Sequence, residues 1–342
     1  MTDLSYRTAG VDREVAASAK RRILELVAAT AGPNVIPNPG GFGGLFRVPS
    51  GMRDPVLVSS ADSVGTKLKV AVLAGRHHGV GTDIVHHCAN DILVEGARPL
   101  FFLDYIGMGR LEPGTVEQVV EGIAQACREN GCALLGGETA EMPDVYASGE
   151  YDLTGFIVGV VENEMRPGRQ RVGAGDRLIA LASDGFHTNG YSLLRHLLFQ
   201  QLGLRVEDRY PGLDRTVADV LLQPHRSYVK AILPLIDDGL VNALAHITGG
   251  GIPENLDRAL PDGYRAIVER SSWTPPPAFH AVMEHGAITE EEMFLTFNMG
   301  VGLVLVVGEH VAGVVMDRLR SAGERAWLLG HVERGPHGVR LV

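Results

Sequence analysis

Apolar residues along the chain recur at two different periods, and the change of period divides it into strands and helices. Residues 16–29 carry Ile23, Leu24 and Val27 on one face at helical spacing, and Gly32-Pro33 stops that helix. Short bounded runs predict strands at 56–59, 100–106, 133–135 and 151–161, with helices over 83–95 and 115–130 between them. The segment 163–176 is polar, carries Pro167 and three glycines, and separates two stretches that each have their own strand and helix pattern. Beyond it a strand at 177–182 opens a second half, with helices near 190–202, 227–238, 252–260 and 311–322 and strands near 243–247, 266–269 and 300–307. The expected fold is α+β, two α/β-type domains spanning 1–168 and 169–342. That agrees with a length prior of about two domains for a chain of this size.

Five places punctuate this pattern with chemistry. Asp62-Ser63-Val64-Gly65-Thr66-Lys67 ends the apolar run Val56-Leu57-Val58 with a carboxylate, a glycine turn, a hydroxyl and a lysine. Mg²⁺ takes one or two protein carboxylates together with phosphate oxygens, and an ammonium neutralises the remaining phosphate charge. G-x-x-x-x-G-K-[ST] is absent, so this is not a Walker loop. Asn38-Pro39-Gly40-Gly41-Phe42-Gly43-Gly44 is too glycine-rich for regular structure, and its exposed N–H groups make either an anion cradle or a lid without a ligand. His187, in a polar turn before a long helix, and Thr248-Gly249-Gly250-Gly251, opening the next, are two phosphate-ready loops. A surface histidine and a tight strand-to-helix turn are the plainer readings. On a helix Asp91 and Glu95 present two carboxylates on one face. His86 and His87 diverge by about 100°, so only His87 can join Asp91. Without H-E-x-x-H or a distant second histidine motif, a metallohydrolase is disfavoured.

Taken in order, Asp62 to Lys67, Asn90-Asp91 with Glu95, Gly136-Gly137-Glu138-Thr139-Ala140-Glu141-Met142-Pro143, His187-Thr188-Asn189-Gly190-Tyr191 and His246-Ile247-Thr248-Gly249-Gly250-Gly251 resemble the aminoimidazole ribonucleotide synthetase (phosphoribosylformylglycinamidine cyclo-ligase) family. The likeness runs from Ser5-Tyr6 and Ala9-Gly10-Val11-Asp12 to Gly323-Glu324-Arg325-Ala326-Trp327. It implies ATP-dependent closure of formylglycinamidine ribonucleotide to aminoimidazole ribonucleotide, releasing ADP and phosphate, in purine biosynthesis. It implies a homodimer whose N-terminal domains share a β-barrel, and a C-terminal sheet flanked by helices. The implied catalytic residues are His187, Lys67 and Asp62. ATP would meet Gly40, Gly41, Phe42, Gly43, Asp62, Thr66, Lys67, Asn90, Asp91, Gly137 and Glu138. Mg²⁺ would meet Asp62, Asp91, Glu95 and Glu138, and a monovalent cation is a further candidate. The ribonucleotide would meet His187, Thr188, Asn189, Gly190, His246, Thr248, Gly249, Gly250 and Gly251. Ser63 stands where the family more often has glycine, and Phe186 and Thr188 where it usually has proline and serine. Selenophosphate synthetases are also similar but expect a reactive cysteine near the N-terminus, whereas the first here is Cys88. Thiamine-phosphate and hydrogenase-maturation kinase-like enzymes are the other rivals of this kind. A nucleotide-binding regulatory protein without catalysis is the alternative from another class, opposed by the acidic set and His187.

Charge and cysteines narrow the partners. With 31 Lys+Arg against 41 Asp+Glu the formal charge is −10, which repels nucleic acid and anionic membrane and leaves anionic ligands dependent on a local site. Apolar stretches such as 301–307 fall short of the roughly 18 residues that span a bilayer. Met1-Thr2-Asp3 opens no signal peptide, so a cytoplasmic location is expected. Cys88, Cys127 and Cys132 are odd in number and form no C-x-x-C pair, which points to reduced, packed thiols.

Overall fold

The computed structural model describes residues 22–38 and 40–342. Residues 16–21 of the first expected helix, and the motifs at Ser5-Tyr6 and Ala9 to Asp12, lie outside them; residues 22–28 are helical. A small hairpin, β1 (Val35–Ile36) with β2 (Leu45–Phe46), precedes β3 (Pro55–Ser63). Then follow α1 (Lys67–Ala74), α2 (His78–Leu93), β4 (Arg98–Met108), α3 (Pro113–Glu129), β5 (Ala133–Glu141) and β6 (Tyr151–Glu162). Four of these strands form a sheet in the order β3-β6-β4-β5, antiparallel except for the parallel pair β4-β5.

One face of this sheet is covered by α2. The alternation along β3 sends Val56, Val58, Ser60 and Asp62 inward and leaves Leu57, Ser59 and Ala61 exposed. Register then carries the faces across the sheet: Asp62 lies beside Gly155, Gly155 beside Asp104, and Asp104 beside Gly137. The opposite face holds Leu57, Phe101, Leu103 and Phe156, with the Phe46 ring 5.4 Å from that of Phe101. Helices α2 and α3 approach closely through glycines. A Cβ on Gly81 would lie 2.1 Å from the Val119 carbonyl oxygen, and one on Gly122 2.0 Å from that of His78.

The second half contains β7 (Arg177–Ala182), α4 (Tyr191–Arg195), α5 (Val217–Leu221), α6 (Val229–Asp237), β8 (Ala243–His246), α7 (Gly251–Asp257), β9 (Tyr264–Val268), α8 (Pro277–Gly286), α9 (Glu290–Thr296), β10 (Val301–Val307), α10 (Ala312–Ser321), β11 (Ala326–Arg334) and β12 (Gly338–Leu341). Its six strands run in the order β12-β9-β11-β7-β10-β8. Every residue of β10 is buried, the continuous apolar run expected of a strand covered on both faces. Helix α4 continues into a π-helical turn at His196–Gln201.

The patterning located most elements, but three departures have physical causes. Gly136-Gly137-Glu138 was expected to follow a short strand, yet it continues β5, because pairing with β4 holds residues whose own strand preference is weak. Lys67, which follows the glycine turn, opens helix α1, an element the periodicity did not predict. β11, inside the sheet, and β12, at its edge, mix polar and apolar residues and gave no clean run.

Gly81→Val should cost at least the 1–3 kcal/mol typical of overpacking and lower the thermal midpoint. Gly114→Ala, with no atom near its added Cβ, should leave the midpoint unchanged or slightly raised. Equal midpoints for the two variants would contradict this packing.

Candidate active site between the two domains

A cavity of about 600 Å³ separates the two sheets, within the usual range for small-molecule sites. Ser60 and Asp62 from β3 and His87, Asp91 and Glu95 from α2 and its end form one wall. Arg166, Arg169 and Gln170 from the interdomain segment, His246 and Thr248 after β8, and Asn255 and Arg258 around α7 form the other. The cavity therefore has an acidic wall and a basic rim, a division suited to a substrate carrying phosphate on one side and reacting groups on the other.

The acidic wall is organised by buried histidines. His87 Nε2 lies 2.9 Å from Asp62 Oδ2 and 3.7 Å from Asp91 Oδ2, and its Nδ1 is 2.9 Å from Thr188 Oγ1. Asp91 Oδ1 lies 2.8 Å from His246 Nδ1, while its Oδ2 accepts from Ser60 Oγ at 2.9 Å. Burial works to raise both carboxyls, but hydrogen bonds and charge from His87 for Asp62, and from His246 for Asp91, hold each below its ordinary value. Burial also works to lower His87, yet the surrounding Asp62, Asp91 and Asp83 outweigh it and raise it. His246 lies below its ordinary value because burial outweighs Asp91. Glu95 lines the cavity but is ion-paired with Arg166 at 2.9 Å.

Several expected site residues stand elsewhere. Lys67 is fully buried, its Nζ 2.8 Å from Asp83 Oδ2, 3.1 Å from the His187 carbonyl and 2.8 Å from that of Gln223. Its three donors are thus consumed, and it has none for a phosphate. Burial pushes Lys67 down and Asp83 up, and each charge opposes the other's shift. Asn90 donates to the Arg226 carbonyl at 2.8 Å and accepts from the Tyr228 N–H at 3.0 Å, so it clamps the domains together instead of facing nucleotide. The His187 side chain is buried, accepts from the Asp184 N–H at 3.2 Å and does not line the cavity. Burial lowers it well below its ordinary value, which makes it a neutral support.

Glu138 parts from Asp62 altogether. It lies on β5, at the sheet's other edge and on the other face, three strand spacings or about 14 Å away. Gly137 backs onto Asp104, whose carboxyl burial pushes up to about 7, with the Glu138 charge adding to the rise. Gly40, Gly41 and Gly43 belong to a loop on this same side, where Gly44 abuts Leu135 and Phe42 is fully exposed. One chain therefore does not gather all four expected metal carboxylates. Thr66 precedes α1 and lies 3.3 Å from Ser192 Oγ, away from the cavity.

Around α7 the expected loop is present. Thr248 lines the cavity, and Asn255 Nδ2 donates to the Gly249 and Gly251 carbonyls at 3.0 and 2.8 Å. Gly251 has φ 60°, and a Cβ there would lie 1.8 Å from the Phe294 oxygen, so no other residue fits. Asn189 stands beside Gly249, and Gly190 packs on the Phe297 ring. His225, Asp83, Arg226 and the cavity arginines were missed. Pro224-His225-Arg226 lies between helices with no periodic signal, and single arginines on a loop look like solvated surface.

Lys67→Met should destabilise the fold by about 3–5 kcal/mol, because it leaves Asp83 charged and buried, and Asp83→Asn in the same chain should restore part of the loss. A single variant that keeps its melting temperature but loses ATP affinity would return Lys67 to a phosphate role. For pH, a histidine raised on folding contributes stability that is complete below its unfolded value of about 6.5 and fades as pH rises through the folded one. The midpoint difference between wild type and His87→Gln should therefore be larger at pH 6 than at pH 9. A constant difference would show that His87 is not charged. Comparing with the variant cancels His187 and His225, which are lowered and act with the opposite sign.

Similarity to known proteins agrees with this geometry. The AIR synthase related protein family matches through its N-terminal domain at residues 44–161 and its C-terminal domain at 173–342. A phosphoribosylformylglycinamidine cyclo-ligase of Geotalea uraniireducens is 47% identical over 340 residues, 99% of this chain and 98% of that one. The cyclo-ligase of Geobacter metallireducens is 48% identical over 99% of each chain. Among solved structures, the hydrogenase maturation protein HypE of E. coli superposes with a TM-score of 0.67 at 25% identity, covering 94% of this chain and 93% of its own. Thiamine-monophosphate kinase from Stenotrophomonas maltophilia gives 0.67 at 18%, covering 95% and 94%, and so shares the fold. The chain therefore belongs to the AIR synthase family, alongside the phosphoribosylformylglycinamidine cyclo-ligases.

Proposed function

We propose that this chain closes formylglycinamidine ribonucleotide to 5-aminoimidazole ribonucleotide at the expense of ATP, releasing ADP and phosphate. The observation that carries the reading is the two-signed cavity, with Asp62 and Asp91 facing Arg166, Arg169 and Arg258. The amide oxygen of the substrate is a poor leaving group. Transfer of the ATP γ-phosphoryl to that oxygen lets an internal nitrogen displace it as phosphate, and such transfer is catalysed mainly by positioning and charge neutralisation. Arg169 and Arg258 hold the ribonucleotide phosphate, with Thr248 and the α7 end beside them. The proton lost by the attacking nitrogen leaves with the departing phosphate.

Asp62 and Asp91 offer hard oxygen donors at the cavity, which fits Mg²⁺ bound through two carboxylates and water. When bound, the ion neutralises ATP phosphate charge. Glu138 and Gly40 to Gly43 cannot reach that point within one chain. We infer a homodimer formed through the face bearing Leu57 and Phe156, 61% and 39% exposed, in which the loop edge of one copy completes the acidic wall of the other. In this reading the protein works in the cytoplasm.

ADP should appear only when formylglycinamidine ribonucleotide is added; release at the same rate without it would overturn the activity. Asp62→Asn and Glu138→Gln should each lose orders of magnitude in turnover. Mixed after subunit exchange, they should recover about a quarter of wild-type activity, since half the dimers are mixed and each keeps one intact site. No recovery from exchanged dimers would place both residues in one chain's site.

A further inference from the structure

We propose, resting on the ribonucleotide reading, that Arg166 exchanges partners as substrate enters the cleft, leaving Glu95 and turning its guanidinium onto the substrate's phosphate. Arg166 and Glu95 both line the cavity, with Arg166 Nη2 2.9 Å from Glu95 Oε2. Their side chains are 39% and 47% exposed. An ion pair so open to water holds weakly, and a better anion displaces it at little cost.

The guanidinium is only half used. Nη2 shares one edge with Nε, and such an edge takes a carboxylate or phosphate through two parallel hydrogen bonds. Glu95 takes Nη2 alone. Nε is buried and has no hydrogen-bond partner. Buried donors are normally paired, so this orphan marks a contact still to be made.

Backbone anchoring reduces the exchange to a side-chain movement. Pro167 packs so closely on Gly96, whose φ is 81°, that a Cβ on that glycine would lie 2.5 Å from Pro167 Cδ. The Gly168 N–H donates to the Asn242 carbonyl at 2.7 Å, just before β8. The segment is thus tied to the first domain at Gly96 and to the second at Asn242. Arg166 springs from a fixed point between the walls, and rotation about its own side-chain bonds is the movement required.

Charge gives the exchange its direction. A phosphate monoester carries about −1.5 to −2 charge near pH 7 and three acceptor oxygens, more of both than a carboxylate offers. Arg169 and Arg258 line the same cavity without an ion-pair partner among the described residues, so they draw that phosphate to the rim where Arg166 sits. The released Glu95 is half-exposed and passes to water. Arg166 is therefore a specificity-determining residue: held by Glu95 until a dianion arrives, it adds affinity for the phosphorylated substrate and none for a neutral nucleoside.

The test is a double-mutant cycle, read by calorimetric titration of formylglycinamidine ribonucleotide without ATP, where no turnover occurs. Arg166→Met should weaken binding about ten- to a hundredfold, the usual size of a charge-assisted phosphate contact. Glu95→Gln, which frees Arg166, should tighten it about two- to fivefold. Added to Arg166→Met, Glu95→Gln should change nothing further. Should Arg166→Met fail to fold, Arg166→Gln, neutral but polar, takes its place in the cycle. Unchanged or weaker binding in Glu95→Gln would overturn the exchange. So would equal tightening in both backgrounds, since Glu95 would then act only through its general field. A wild type that binds no ribonucleotide overturns the functional reading as well, whereas ADP release on substrate addition together with an additive cycle removes the exchange alone.

Discussion

Everything at the site depends on how α2 is fastened on its far side. Lys67 and Asp83 are both wholly buried, and each reaches across the seam: Lys67 to the His187 and Gln223 carbonyls, Asp83 Oδ1 to the His225 N–H at 2.6 Å. One turn beyond His86, Asn90 repeats the device by holding the backbone at Arg226 and Tyr228. A buried pair of charges is poor evidence for extra stability, but removing either partner is costly, so the arrangement enforces one relative position of the two domains. That position brings Asp91 to His246 and creates the cavity. Residues that look catalytic in the sequence, Lys67 and His187 above all, are spent on building it.

The remaining polar groups divide the cleft by sign. A chain with a formal charge of −10 gathers Arg169 and Arg258, beside the Arg166–Glu95 ion pair, on one side of a small space, which gives a local attraction that the whole molecule would oppose. The opposite wall stays anionic despite burial because His87 and His246 hydrogen-bond its carboxylates. Fold alone does not choose the chemistry, since proteins described as a thiamine-monophosphate kinase and a hydrogenase maturation protein superpose on the same framework. The distinction must lie in such walls.

Much of this was legible in the residues. Asp62, Asp91, His246 and Thr248 all line the cavity, because each sits at an element end where a polar residue interrupts an apolar pattern. The second-domain loop at Gly249 to Gly251 was readable for the same reason. Lys67 and Asn90 misled because a lysine after a glycine turn and an asparagine beside an aspartate look identical whether they face ligand or seam; the difference is set by His225, Gln223 and Arg226, more than a hundred residues away. That Glu138 lies on the outer face, apart from Asp62 of the same chain, was not legible, because it depends on strand register and on β5 continuing by a few residues.

The central claim is that ribonucleotide lies between the domains, against both the acidic wall and the arginine rim. Hydrogen–deuterium exchange of the wild-type protein with and without formylglycinamidine ribonucleotide tests it most directly. Residues 58–62 and 91–95 on one wall and 166–170 and 245–258 on the other should gain protection together. Protection confined to residues 40–46 and 136–139, on the outer face of the first sheet, would contradict the account.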